Sequence, residues 1–391
     1  MVTYDDGASS AARHSSLACM PLAHSHEELS AWLRLTLEPG IGPATARDLL
    51  EVFGLPQQLY AQPRQALAER LPAPLADQLA RPPSHEQWAT IERTLRWCEA
   101  PDHHVLTLAD AGYPPPLLDI HDPPPVLYVV GEPVWLAHPA IAMVGARNAT
   151  ADGLANARAF ARHLARQGWC IVSGMALGID TAAHEGALEA GGAGTVAIVG
   201  TGADVVYPAR NRNLAARIAA AGALVSEFPL GTLALPHQFP RRNRLVAGLA
   251  RGTLVAEAAA RSGSLITARL AAEIGREVFA IPGSIHSPLS RGCHALIRQG
   301  AKLVESAQDI LDELHGIPAA HRPEAGSPPD PPRDALVAAM GYGPIPLDAL
   351  ALRTGLAIPD LQARLLDLEL QGRVARLDGG RYQVLYRQHN A

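Results

Sequence analysis

The chain has 391 residues, enough for two or three domains with a sizeable core. It is 48% hydrophobic and 18% charged, which excludes a disordered chain, and no run approaches 18 apolar residues, which excludes a membrane-spanning helix. The net charge of −5 conceals a segregation: residues 141–300 hold 16 arginines, no lysine and nine acids, a surplus of seven, so the remainder carries −12. Lys302 is the only lysine in the chain, so side-chain charge for a phosphate rests with arginine, which also stacks on bases.

Aromatic residues make up only 5%, low for a sandwich or barrel. Cys19, Cys98, Cys170 and Cys293 are scattered, with no CxxC pair, and read as reduced thiols. His24, His26, His103 and His104 lack a cysteine or acidic constellation, so no metal site is expected. The first residues carry Asp5 and Asp6 and no apolar core of a secretory signal, so the cytoplasm is the expected location.

In chain order, residues 1–25 read as a flexible tail, with Met20 a candidate start. Residues 26–100 read as a small helical domain, SAM-like or helix-hairpin-helix-like. Two of its helices meet at Gly40-Ile41-Gly42, with Pro43 suited to a first helical position. Hairpin amides of this kind can meet a DNA phosphate; an ordinary helical turn fits equally, because the segment lacks supporting basic residues. Residues 101–135 are proline-rich and read as an extended connector.

From 139 to 315 short apolar runs alternate with helical segments. The runs are 140–144, 170–172, 195–199, 224–226, 253–255, 278–281 and 302–304. Helices are expected near 152–166, 177–190, 211–221, 241–250, 264–274, 289–299 and 306–314. This is the pattern of a doubly wound, Rossmann-like α/β parallel sheet covered on both faces, within a domain of residues 101–315. Residues 316–332 read as a proline-rich linker. Residues 333–391 read as a winged-helix domain: a helix at 333–341, another at 347–354, a third at 359–371 and a hairpin turning at Asp378-Gly379-Gly380. Its third helix sets only Arg364 against Asp360, Asp367 and Glu369, which makes it a poor reader of the major groove. DNA contact would fall to Arg373, Arg376 and Arg381 of the wing.

Ligands of such sheets bind beyond the carboxyl ends of the strands. Those positions hold Gly145-Ala146-Arg147, the Ser173-Gly174-Met175 turn running through Gly178 to Asp180, and Gly200-x-Gly202 with Tyr207-Pro208. They also hold Phe239-Pro240-Arg241-Arg242-Asn243-Arg244, Glu257 and Ser262-Gly263-Ser264. Glycines permit close backbone approach, helix N-termini bind phosphate, the arginines supply charge and Phe239 offers a stacking face. One arginine of the cluster could instead cap or pair, and Asp180 could hold its own loop by accepting amide bonds. The rim has no Ser-His-Asp spacing, P-loop or close carboxylate pair.

These loops, in this order, resemble the DNA-processing protein A family (DprA, also called Smf). The resemblance rests on Val144-Gly-Ala-Arg147, Ser173-Gly-Met-Ala-Leu-Gly-Ile-Asp180, Ser226-Glu-Phe-Pro-Leu-Gly231 and Phe239-Pro-Arg-Arg-Asn-Arg244. It continues through Ser262-Gly-Ser-Leu-Ile-Thr-Ala268, Gly275-Arg-Glu-Val-Phe-Ala-Ile-Pro-Gly283 and Gly292-Cys-His-Ala-Leu-Ile297. It implies a bacterial cytoplasmic protein that binds single-stranded DNA, protects incoming DNA and loads the RecA recombinase during natural transformation. It further implies a homodimer through the Rossmann-like domain, no cofactor and no catalysis. Carried over by position, the DNA site comprises Gly145, Arg147, Ser173, Gly174, Met175, Gly178, Asp180, Phe239, Arg241, Arg242, Asn243, Arg244, Ser262, Gly263 and Ser264. Two departures are visible: Ala146 stands where many members carry serine, and Leu235-Pro236-His237 stands where some carry a lysine. The alternative is a phosphoribohydrolase-like nucleotide hydrolase. That chemistry needs a glutamate directly after its Gly-rich turn, whereas here the next acid after Thr267 is Glu273.

Overall fold

The computed structural model describes residues 24–315, 335–340, 345–371, 373–377 and 380–384. The expected tail up to residue 23, with Met20 and Cys19, the linker at 316–332 and the turn residues Asp378 and Gly379 lie outside the described residues.

The described chain opens with α1 (His26–Leu37), α2 (Pro43–Phe53), α3 (Pro56–Tyr60), α4 (Arg64–Ala68), α5 (Ala73–Ala80) and α6 (His85–Trp97). Ser25 caps α1 by accepting the Glu28 amide at 3.1 Å, and Ser84 caps α6 with Gln87 in a reciprocal box. Between α1 and α2 the chain turns at Gly40 (φ +77°), and Pro43 then opens α2. Leu35, Ile41, Leu49, Leu59, Leu67 and Leu79 close a small core of their own.

The central domain contains β1 (His103–Thr107), β2 (Val126–Gly131), β3 (Ala140–Val144), α7 (Ala151–Arg166), β4 (Cys170–Ser173), α8 (Ile179–Ala190), β5 (Thr195–Ile198), α9 (Arg212–Ala221) and β6 (Ala223–Ser226). It continues with α10 (Gln238–Leu249), β7 (Gly252–Val255), α11 (Ser264–Glu273), β8 (Glu277–Ala280), α12 (Arg291–Arg298), β9 (Lys302–Leu303) and α13 (Ala307–His315). The strands form one sheet in the order β1-β2-β6-β5-β4-β3-β7-β8-β9. Strands β3 to β9 are parallel, as expected. Alternate residues serve opposite faces: Ile141 and Met143 meet α7, α8 and α13, while Ala140, Ala142 and Val144 meet α10, α11 and α12.

Two readings are corrected. The proline-rich connector is not merely extended. Its proline-free ends form β1 and β2, which add to β6 as an antiparallel pair and widen the sheet to nine strands among the described residues. Proline removes a ladder donor only where it stands, and Pro114–Pro116 and Pro123–Pro125 fall between the two strands. Secondly, α10 begins at Gln238 rather than 241, because Pro240 occupies its first turn, where no amide donor is required. Phe239 therefore rides on a helix and not on a loop.

The last described elements are α14 (Ala335–Met340), β10 (Ile345–Pro346), α15 (Leu347–Thr354), α16 (Ile358–Leu370), β11 (Val374–Leu377) and β12 (Arg381–Val384), with strand order β10-β12-β11. This is a winged helix. It shares one apolar cluster with α1 and the outer face of the β1–β2 pair, through Leu336, Met340 and Leu350 on one side and Leu29, Trp32, Val105 and Tyr128 on the other.

Candidate nucleic-acid interface

The chain winds outward from β3 to β6 and returns to β7 on the other side of β3. The crevice beyond β3 and β7 is therefore the topological switch point. Backbone bonds stitch the loops that leave it. The Ala146 amide donates to the Glu257 carbonyl at 2.7 Å, and the Ile179 amide donates to the Ala146 carbonyl at 3.2 Å. A side chain at Gly145 would strike Ile179, and one at Gly178 (φ +80°) would strike the carbonyls of Ala146 and Arg147. These glycines are fixed by loop-on-loop packing. The Glu257 carboxylate accepts the Thr150 amide at 2.9 Å and its hydroxyl at 2.5 Å, next to the start of α7.

The turn after β4 is held from every side. The Ser173 hydroxyl donates to the Met143 carbonyl at 2.6 Å and is buried. Asp180 accepts the amides of Gly174 and Ala176 at 3.1 and 3.2 Å, the loop-holding role open to it from the sequence. Met175 sits at φ +57° with its side chain fully buried. A non-glycine residue in that region costs about 1–3 kcal/mol, and it persists where the surroundings fix it. Here Asn211 Nδ2 donates to the Met175 carbonyl at 2.9 Å. Ser173, Met175 and Asp180 thus shape the loop from beneath, and their side chains are not presented to solvent.

The arginine cluster divides in a way the sequence does not reveal. Arg242 is 5% exposed, and its guanidinium donates to the carbonyls of Gly174, at 2.6 Å, and Ile198. It fills the space where a Gly174 side chain would stand, which explains that glycine. Burial pulls the Arg242 pKa down to about 10, opposed by the nearby Asp180 charge; burial also pushes Asp180 up, opposed by Arg242. Arg244 donates to the Asp122 carbonyl at 2.7 Å and to Glu227 at 2.5 Å, and pairs with the Asp122 carboxylate at 3.2 Å. Arg241 donates to the same Glu227 oxygen at 3.0 Å. Two arginines therefore face two acids and cancel. Burial pushes the Glu227 carboxyl up, with Arg244 and Arg241 holding it down. The half-buried Asn243 accepts from Arg242 at 3.2 Å.

Of the four arginines expected at the site, Arg147 is the one both exposed and without an acidic partner among the described residues. Its guanidinium stands 5.7 Å from the centre of the half-buried Phe239 ring. Gly200 leaves room for that ring, since a side chain there would come within 3.0 Å of it. Tyr207 also adjoins it, ring centres 5.5 Å apart, and the sequence alone assigns it no role. The available signal was an aromatic directly after a βα turn in a chain poor in aromatics. At the β7 side the Ser262 and Ser264 hydroxyls bond to each other at 2.6 Å; Gly263 is exposed and sits at the N-cap of α11, whose first turn holds no acid.

The helical hairpin at Ile41, Gly42 and Pro43 lines a small cavity together with Glu227 and Arg241. In the winged helix, Arg381 lines a cleft with Phe53, Gln58 and Arg70 of the N-terminal helices, so this wing arginine faces the body of the protein. His24 pairs with Asp110 and His103 stacks on Trp97.

Against known proteins, the profile described as DNA recombination-mediator protein A matches residues 104–315, more than half of the chain. The chain belongs to this family. A second profile, the DprA winged helix domain, matches residues 319–380. Protein Smf of Escherichia coli (strain K12) is 44% identical over 300 residues, covering 74% of this chain and 80% of that protein. DNA processing protein DprA of Streptococcus pneumoniae (strain ATCC BAA-255 / R6) is 48% identical over 208 residues, covering 53% and 73%. The X-ray structure of DNA processing protein A from Streptococcus pneumoniae superposes with a TM-score of 0.64 at 37% identity, covering 74% of this chain and 98% of that one. The family match begins inside β1, so it takes in nearly all of the antiparallel β1–β2 pair.

Proposed function

We propose that this protein binds single-stranded DNA at the switch-point rim, shields it, and delivers it to the RecA recombinase during transformation and recombination. The observation that carries this reading is the Arg147–Phe239 pair. An outward cation and an aromatic ring meet where four loops converge, with the underlying scaffold already fixed. Phosphate would meet Arg147, the exposed Gly263 and the α11 N-terminus, while an unpaired base would stack on aromatic surface. Arg242, Ser173, Met175 and Asp180 serve as positioning residues beneath that surface.

The protein acts by binding and not by catalysis. Glu257, which follows β7 at the switch point, accepts two hydrogen bonds from Thr150, which supports a loop-holding role for it over that of a catalytic acid. It works in the cytoplasm as a homodimer through the Rossmann-like domain, so that two pockets on one strand raise avidity. The test uses RecA with single-stranded DNA coated by single-strand-binding protein. Added protein should speed filament assembly, Arg147→Ala should blunt the effect, and nucleoside monophosphates should release no base. Base release dependent on Glu257, or filament assembly unchanged by the protein, would overturn the reading.

A further inference from the structure

We propose that Tyr207, with Arg210 and Arg212, forms a second nucleotide step of the rim, adjoining the Phe239 step on the β5 side; this rests on the single-strand reading above. Tyr207 is 46% exposed, so part of its ring is open to a ligand. Its centre lies 5.5 Å from that of Phe239, with the planes inclined at 39°. A base held between two rings needs about 7 Å, twice the carbon contact distance, so the rings cannot clamp one base. They can instead carry successive bases along the rim, Phe239 beside Arg147 and Tyr207 beyond it. Stacking of this kind tolerates any base and requires it unpaired.

The charges for the neighbouring phosphates follow at once in the chain. Arg210 and Arg212 are exposed, and no carboxylate among the described residues pairs with either. Between them Asn211 is buried, and its Nδ2 donates to the Met175 carbonyl at 2.9 Å and the Thr181 hydroxyl at 3.0 Å. That anchor fastens the arginine-bearing segment to the turn after β4, the same turn that Arg242 holds. The second step is thus built on the same scaffold as the first and needs little ordering when a strand arrives.

The experiment is fluorescence anisotropy of the full chain with a labelled oligothymidine, together with quenching of a 2-aminopurine placed within the strand. Tyr207→Leu should weaken binding about tenfold and relieve part of the quenching, within the range one stacked base supplies, while Tyr207→Phe should bind as wild type. Arg210→Ala with Arg212→Ala should make the salt slope shallower by about 1.4, the share of two single-strand phosphates. If Tyr207→Leu and the double variant bind as wild type while Arg147→Ala loses affinity, the second step is wrong and the rim reading stands. If Arg147→Ala also binds as wild type, both fall.

Discussion

Glu28 of α1 accepts a hydrogen bond from Arg353 of α15 at 2.5 Å, although 325 positions separate them in the chain. The pair does not stand alone. Glu28 also faces His24 at 3.4 Å, and His24 reaches Asp110 at 2.9 Å, so four largely buried groups tie the winged helix, the N-terminal helices and the sheet's antiparallel edge together. Arg353→Ala should release the winged helix, with a docking loss of about 3 kcal/mol, the low end for a broken buried pair, because His24 still balances Glu28. Limited proteolysis should then cut the winged helix away well before the rest; unchanged protection would refute the tie.

The same chain sets a pH window. Burial alone would lower the His24 pKa, but bonding to Asp110 and Glu28 outweighs it and raises it to about 9. Burial alone would raise Glu28, but His24 and Arg353 bring it down to about 2. The raised histidine contributes stability below its ordinary 6.5 and loses it as pH rises through 9; the lowered glutamate contributes above 4.5 and loses it as pH falls toward 2. Docking should be tightest between about pH 4.5 and 6.5. Thermal melts across pH should show an alkaline decline that His24→Gln removes.

Arg242 and Arg147 should separate stability from binding. Arg242→Ala leaves the Gly174 and Ile198 carbonyls unpaired and Asp180 without its balancing charge, and should cost about 3–5 kcal/mol in urea denaturation. Arg147→Ala should leave the unfolding midpoint within about 0.5 kcal/mol of wild type, as for an exposed residue without a buried partner.

Arg244→Ala should lower both. The sequence alone predicts a rim arginine whose loss spares stability. With only 11% of its side chain exposed against Glu227 and Asp122, removal leaves two acids under-compensated, at a cost of about 2–3 kcal/mol. Arg244→Ala with Glu227→Gln should recover part of the loss; no recovery would show that the two do not act together.

The parallel strands were legible because a sheet covered on both faces needs nearly unbroken apolar runs, and 140–144 or 195–198 can serve little else. The antiparallel pair was not, since prolines on either side of Leu117 and Leu118 masked the strands flanking them. At the rim, Arg147 was legible as an outward cation. The fates of Arg242 and Arg244 were not, because their partners lie 17 to 122 residues away and the strand order brings them together. Tyr207 was visible at the rim, but its pairing with Phe239 was not, because it comes from β5 lying beside β6.

The central claim is tested most directly by anisotropy titrations of single-stranded and duplex oligonucleotides of equal length across a salt series. Single strands should bind more tightly, with log affinity falling linearly as log salt rises. Arg147→Ala should weaken that binding by about 1–3 kcal/mol and make the slope shallower by about 0.7. Equal affinity for duplex and single strand, or an Arg147→Ala titration that overlays the wild type, would contradict the account.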